Sequence, residues 1–416
     1  MMHIISLKNK TKHIPITAFA DPPELYVPLQ GYKGIMQLLV QPGTTVKKHQ
    51  KIAELTGTFA CCIHAPVSGI VQGIEDINGQ PHVKLLNDFK EDEYELPALK
   101  PERLSAADIL LGLKEYGIEG SGGARFPTHL KYNIHDSPID TFIINGAECE
   151  PYLSADYAIL KNESMALVKA IGLLQKVINA KTVVIAIEKQ HKELKKLLAS
   201  NLSEQRIKIH LLPNEYPQGG ELQLIKSVTG KELPKGCVPS QHGIVVSNVG
   251  TLWAVYNAFY SNKPYVERII TISGEKAKNL GNYIVKVGTP VSFIINKVGL
   301  EDKTSDQTVI LGGPMMGKAI DDDRTPIHKG TGGLLILPEH KNNNYNCIQC
   351  GYCADVCPQK LMPMEFVRTE AQQDTEKLLQ LHLNDCIECG ACAYVCPSDI
   401  PLMKNIFAGK QALRAS

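Results

Sequence analysis

No apolar run in this 416-residue sequence is long enough to cross a bilayer. The longest, Val183–Ile187 and Gly332–Pro338, fall far short of the roughly 20 residues that a spanning helix needs. The opening, Met1–Pro15, lacks the apolar core of a signal peptide. The chain is therefore expected in the cytoplasm, with any membrane association supplied by a partner. It also lacks an excess of either charge. Forty-four Lys and Arg stand against 43 Asp and Glu, which leaves no electrostatic footprint for nucleic acid. No G-x-x-x-x-G-K-[ST] loop occurs, and no Ser-His-Asp set is apparent. The 13 histidines, among them His64, His129, His191 and His242, occur singly and never at metal-ligand spacing. They read as structural or surface residues.

Cysteine is what the chain has in quantity. Eight of its twelve cysteines fall in two copies of C-x₂-C-x₂-C-x₃-C-P, at Cys347–Pro358 and Cys386–Pro397. Thiolates at that spacing let one turn of backbone wrap an iron–sulfur cubane. In two-cluster ferredoxins the fourth cysteine of each run ligates the other cluster. Cys347, Cys350, Cys353 and Cys396 are thus assigned to one [4Fe–4S] centre, and Cys386, Cys389, Cys392 and Cys357 to the second. Structural zinc competes, because C-x₂-C pairs also hold zinc, but a triple run closed by C-P and used twice is unlike a zinc site. Disulfides are disfavoured where nothing marks the chain as secreted.

The length suggests about three domains. Residues 1–100 read as all-β, with short strands and turns around Val40–Glu54, His64–Val71 and Val83–Leu86. Pro42-Gly-Thr-Thr-Val-Lys-Lys-His-Gln-Lys-Ile-Ala-Glu54 and His64–Val71 resemble the barrel-sandwich hybrid of biotinyl and lipoyl carriers. The hairpin tip Thr56–Cys62 has no lysine to modify, so the resemblance implies a scaffold or docking role. Cys61 and Cys62 read as small strand residues pointing alternately in and out. Residues 101–260 alternate helix and strand. Helices are expected at Ser105–Tyr116, 163–179, 190–200, Glu221–Thr229 and Leu252–Tyr260. Strands are expected at Thr141–Asn145, Thr182–Ile187, Ile207–Leu212 and Gly243–Asn248. Apolar strands between amphipathic helices mean a parallel sheet covered on both faces, with ligands at the strand C-terminal ends. Residues 261–338 return to β character, with strands expected at Val266–Ile272, Tyr283–Val287 and Val291–Ile295. A polar linker, Glu339–Asn344, leads to the cluster domain at 339–416, with helices near 363–383 and after Pro397.

One loop carries a second chemistry. In Gly117–Tyr132, Gly120, Gly122 and Gly123 let backbone amides approach a ligand closely. Such a nest before a helix N-terminus favours an anion such as phosphate, and Lys131 adds charge. A tight surface turn would use the same glycines.

The wording of the loop decides further. Gly120-Ser-Gly-Gly-Ala-Arg-Phe-Pro-Thr-His-Leu-Lys131 is similar to the FMN loop of the NADH-oxidising subunit of respiratory complex I. It resembles more closely the RnfC family, from the Rnf ion-translocating ferredoxin:NAD oxidoreductase. Asn145–Asp156, Gly219–Ile225, Ser247–Thr251, Gly312–Gly317 and the two cysteine runs match that family in order. The resemblance implies a multidomain α/β chain: a barrel-sandwich hybrid, a Rossmann-like flavin domain, a β-grasp module of the soluble-ligand-binding (SLBB) type and a two-cluster ferredoxin-like domain. It implies FMN held by Gly120, Gly122, Gly123 and Lys131, with Asn145 bonded to the flavin and Asn248 and Thr251 closing from the opposite strand end. It places Glu148 and Glu150 along the cleft and Glu221 toward a nicotinamide. First-turn carboxylates favoured by the helix dipole are the plainer account of Glu150 and Glu221. Arg125 stands where the family loop has its third glycine, a place where arginine can crowd the flavin or add a cation. The implied partners are NAD(H) and the ferredoxin-like and membrane subunits of such a complex, on the cytoplasmic side of the inner membrane. A soluble relative, such as a cobalamin reductase or an amino-acid reductase donor, would share the same domains.

Overall fold

The computed structural model describes residues 1–415 except 135–136, 202–206, 235, 303–305, 340–344 and 372. Most of the expected polar linker lies outside the described residues. The chain does not begin with its barrel. An arm crosses the later domains first, and its strand β1 (Thr17–Ala18) pairs in parallel with a strand near residue 283.

The barrel follows. Strands β2 (Glu24–Pro28), β3 (Gln37–Leu38), β4 (Thr45–Val46), β5 (Lys51–Leu55), β6 (Cys61–His64), β7 (Gly69–Ile77) and β8 (Gln80–Asn87) form two sheets, ordered β2-β8-β7-β4 and β3-β5-β6. Leu25, Val27, Ile52, Ile63, Val71 and Val83 fill the space between them. Asn78-Gly79, both at positive φ, turns β7 into β8, as a two-residue hairpin requires. Cys61 and Cys62 are both buried; Cys61 joins Ile63 in the barrel core and Cys62 does not. The outer face of β6 is covered by the next domain, whose Gly117 lies against the Cys62 carbonyl.

Helix α1 (Ala106–Glu115) opens the α/β domain behind a capping box of Ser105 and Asp108. Then come α2 (Thr128–Tyr132), β9 (Thr141–Gly146), α3 (Ala155–Asn162), α4 (Ser164–Ile178), β10 (Thr182–Glu188), α5 (Glu193–Asn201), β11 (Ile207–Leu212), α6 (Glu221–Thr229), β12 (Ile244–Asn248) and α7 (Val249–Tyr260). The four strands are parallel in the order β11-β10-β9-β12. Helix α3 is not among the elements expected from the sequence.

The third module is a mixed sheet ordered β1-β14-β13-β17-β15-β16, with β13 (Glu267–Ser273), β14 (Gly281–Lys286), α8 (Val291–Val298), β15 (Gln307–Leu311), β16 (Lys318–Ala319) and β17 (Gly333–Pro338). The strand expected at Val291–Ile295 is helix α8. Its β-branched residues suggested a strand, but Val291, Ile294 and Val298 fall on one helical face against Ile270, Ile272 and Leu334. In the last domain, α9 (Tyr352–Asp355) and α12 (Ala391–Tyr394) carry the cysteine runs. Helices α10 (Pro363–Ala371), α11 (Thr375–Gln380) and α13 (Leu402–Ala415) pack around Phe366, Leu378 and Leu402. The single helix expected at 363–383 is divided, with Asp374 capping α11. No described helix is long and apolar enough to cross a membrane.

Candidate functional site

The strand order creates the site. The chain adds β10 and β11 on one side of β9 and then returns to place β12 on the other. The C-terminal ends of β9 and β12 thus form the topological switch point where such sheets bind ligands. Asn145 and Asn248 are paired across it. The glycine loop lies over the start of α7, with Gly122 near Asn248.

Ser121 fixes the loop with three of its polar groups. Its amide donates to Thr251 Oγ1 at 2.9 Å, its hydroxyl meets the Tyr265 hydroxyl at 2.7 Å, and its carbonyl accepts from Arg268 at 2.7 Å. Gly122, Gly123 and Ala124 stay exposed above this anchor. A Cβ on Gly122 would meet nothing nearer than 3.9 Å, and one on Gly123 nothing within 4 Å. Protein packing does not demand these glycines, although Gly123 has φ +101°. The open space lies on the side a ligand would use. Beside the loop, Thr128 Oγ1 is buried without a protein partner. These features fit a phosphate-bearing flavin.

The other expected residues are engaged with the protein. Lys131 and Glu221 meet at 3.0 Å, both partly exposed. Asn145 donates to the Gly219 carbonyl and accepts from the Ala147 amide, each at 3.0 Å. Its side chain ties two loops rather than reaching outward. Asn248 caps α7 through the Gly250 amide and donates to Asp156 at 2.7 Å. The Glu148 carboxylate accepts from the Asp156 and Tyr157 amides at the start of α3. Burial and the neighbouring Asp156 push its pKa up. Glu150 accepts from the Met315 and Met316 amides at 3.1 and 2.8 Å.

Arg125 neither crowds the loop nor faces outward. Its Nε donates to Glu119 at 2.8 Å. Burial alone would raise the Glu119 pKa, but Lys329 and Arg125 outweigh it and hold the carboxyl below its ordinary range. Glu119 was not singled out from the sequence, and one glutamate before a glycine gives no signal.

The cysteine runs share one backbone. Gln349 and Gly351 in the first, and Glu388 and Gly390 in the second, have positive φ. The Gln349 and Glu388 amides donate to Cys347 and Cys386 sulfur at 3.4 Å. A cavity of about 350 Å³ is lined by Cys386, Cys389, Cys392 and also Cys357, closed by Phe366, Met403 and Ile406. Cys357 acts electrostatically on all three other cysteines, and Cys396 on Cys353. Among the described residues no three His, Cys, Asp or Glu side chains converge as they would on a single metal ion. The second run docks on the flavin side of the molecule. The Tyr216 hydroxyl donates to the Cys389 carbonyl at 2.6 Å, and a Cβ on Gly390 would strike the Met315 carbonyl.

A phosphate-ready loop at a switch point, joined to two cysteine-lined cluster sites, defines an iron–sulfur flavoprotein of the electron-transfer class. Residues 113–257 match the Nuo51 FMN-binding domain, residues 2–87 the RnfC barrel sandwich hybrid domain and residues 346–400 the 4Fe-4S dicluster domain. The chain is 34% identical over 383 residues to the C subunit of the ion-translocating oxidoreductase complex of Rhodobacter capsulatus, covering 88% of this chain and 73% of that one. It is 34% identical over 377 residues to the C subunit of the proton-translocating ferredoxin:NAD(+) oxidoreductase complex of Clostridium ljungdahlii, covering 87% and 82%. Against the corresponding protein of Vibrio cholerae, also 34% identical, it covers 92% of itself and 51% of the relative, about half that protein's length. The chain belongs to the RnfC family, the C subunits of ion-translocating oxidoreductase complexes, and its cofactors are FMN and two [4Fe–4S] clusters. Its fold is similar to a chain of the NAD+-reducing [NiFe]-hydrogenase in the air-oxidised state, with TM-score 0.53 and 19% identity over 75% of this chain and 66% of that one. At that identity the likeness concerns fold alone.

Proposed function

We propose that this chain passes electrons between NAD(H), reacting at FMN under the Gly120–Phe126 loop, and partner redox subunits of an ion-translocating membrane complex. FMN, when bound, supplies the exchange between two-electron hydride and one-electron cluster chemistry. The amides of Gly122 and Gly123 would hold its phosphate. The Gly120 amide, expected to be a third phosphate donor, instead closes the loop on the Phe126 carbonyl at 2.9 Å. Lys131 and Glu221 stand at the rim, where Glu221 can turn toward a nicotinamide. Asn145, Asn248 and Thr251 keep the strand ends and loop in register. Glu148 and Glu150 brace α3 and the Gly312–Gly317 turn.

The observation that carries this reading is the contact between the two chemistries. Glu150, at the end of the Asn145–Pro151 block, holds Met315; Met315 abuts Gly390, and Tyr216 bonds Cys389. Cys386, Cys389, Cys392 and Cys357 would thus hold the cluster that lies nearer the α/β domain. The cluster of Cys347, Cys350, Cys353 and Cys396 is the outward one, with Cys350, Ile348 and Tyr352 exposed. The third module is read as an SLBB-type β-grasp, within domains at 1–100, 101–260, 261–338 and 339–416. The partners are ferredoxin-like and membrane subunits, and the chain sits peripherally on the cytoplasmic face. The test replaces Cys396 or Cys357 by alanine, with iron content and cluster spectra read anaerobically. Each variant should lose the centre whose other three ligands lie in the opposite run. Full iron at both centres in Cys396→Ala would overturn the crossed assignment.

A further inference from the structure

Beneath the glycine loop lies a charged group of residues that the electron path does not use. Glu119, 1% exposed, immediately precedes Gly120. Its Oε2 accepts from Arg125 Nε at 2.8 Å, while its Oε1 faces Lys329 Nζ at 3.4 Å and accepts from the Cys61 thiol at 3.2 Å. Lys329, 4% exposed, also donates to the Gly117 and Cys62 carbonyls. One carboxylate thus joins the two ends of the loop to the barrel and to the third module. A second fastening lies alongside, where Phe126 packs edge-on to Tyr32 and Phe59 of the barrel, with centroids 5.0 and 6.2 Å apart.

The backbone supplies an independent sign that this arrangement has a purpose. Arg125 has φ +54°, a left-handed conformation that costs an L-residue about 1 kcal/mol or more and a glycine almost nothing. Arginine at a position that favours glycine must gain something through its side chain. That side chain is turned under the loop to Glu119, packed beside Gly330, where it cannot serve as a ligand above the loop.

We infer that Glu119 and Arg125 are positioning residues for the phosphate end of FMN, locking the base of the Gly120–Phe126 loop so that its amides stay aligned. This rests on the reading that the loop holds the phosphate. The alternative is that the two residues act only through charge. The two accounts disagree in sign. Glu119→Gln removes a negative charge near the phosphate, so charge alone would tighten FMN binding, whereas a loosened loop weakens it.

The experiment titrates the flavin-free chain with FMN and with riboflavin, which has the same ring but no phosphate. Wild type is compared with Glu119→Gln, Arg125→Gln and Arg125→Lys. We expect FMN affinity to fall about tenfold in both glutamine variants, with riboflavin affinity held within about twofold. Arg125→Lys, which keeps a cation facing Glu119, should restore most of the loss. Tighter FMN binding by Glu119→Gln, or an unchanged FMN-to-riboflavin ratio in Arg125→Gln, overturns the inference. Glu119→Gln leaves buried Lys329 and half-buried Arg125 without their carboxylate and can prevent folding. In that case Arg125→Gln decides by salt: a positional loss persists at high salt, whereas a loss that salt abolishes is electrostatic and contradicts us. Equal binding of FMN and riboflavin by wild type would instead reject the phosphate reading of the loop, and this inference with it.

Discussion

At the scale of single residues, the framework of the site consists of buried donors meeting acceptors far away in sequence. Thr251 accepts the buried Ser121 amide. Thr251→Val keeps the shape but leaves that amide without a partner, a cost of about 1–3 kcal/mol. The expected outcome is lower thermal stability together with weaker FMN retention, read by flavin fluorescence after gel filtration. Tyr216→Phe removes the hydroxyl that donates to Cys389. Hydrogen bonds near a cluster tune its potential, so an anaerobic redox titration should show one of the two cluster potentials shifted and the other unmoved. Equal shifts in both would contradict the one-sided docking of the second run. The glycines and cysteines were legible in the sequence because their chemistry depends on local spacing. Glu150 was not, since its donors lie 165 residues away at Met315 and 166 away at Met316.

Among the elements, the N-terminal arm fastens several distant segments. Lys8, 1% exposed, lies 3.4 Å from Glu188, itself 3% exposed, and donates to the Glu148 carbonyl. Met2 pairs with Tyr216. The arm therefore braces the ends of β9 and β10 and the segment that contacts Cys389. Lys8→Met leaves Glu188 buried without its cation, which should cost about 3–5 kcal/mol in denaturant unfolding. A variant within experimental error of wild type would show that the arm is dispensable. The alternating strands and helices of the α/β domain were legible because each apolar period is long and self-consistent. Helix α8 was not, because its β-branched residues favour strand and only Val298, beyond the five residues considered, completes the helical face. The arm carries no apolar period at all, so nothing local announced where it docks.

For the whole molecule, the modules meet at buried groups whose ionisation couples folding to pH. His64 lies between the barrel and its neighbours. Burial, with the charges of Lys329 and Lys51 adding, holds its pKa down at about 3. The unfolded chain takes up this proton near pH 6.5 and the folded chain does not, so His64 adds stability above that pH which is lost as pH falls. Between pH 6.5 and 5 the loss is about 2 kcal/mol. Groups such as Glu148, whose pKa is raised, act in the opposite sense, so the comparison must be differential. His64→Gln should lose about 2 kcal/mol less than wild type over that range, as measured by denaturant unfolding at both pH values. Equal losses would place His64 in contact with solvent.

The central claim is that flavin and clusters act as one conduit fed by a nicotinamide. The direct measurement is an anaerobic titration of the FMN- and cluster-loaded chain with NADH, followed by visible absorbance and electron paramagnetic resonance. We predict that the oxidised-flavin band bleaches and that cluster signals appear in the same titration, the cluster beside Tyr216 responding with the flavin. Flavin and clusters that remain oxidised under excess NADH, while dithionite reduces both, would contradict the account.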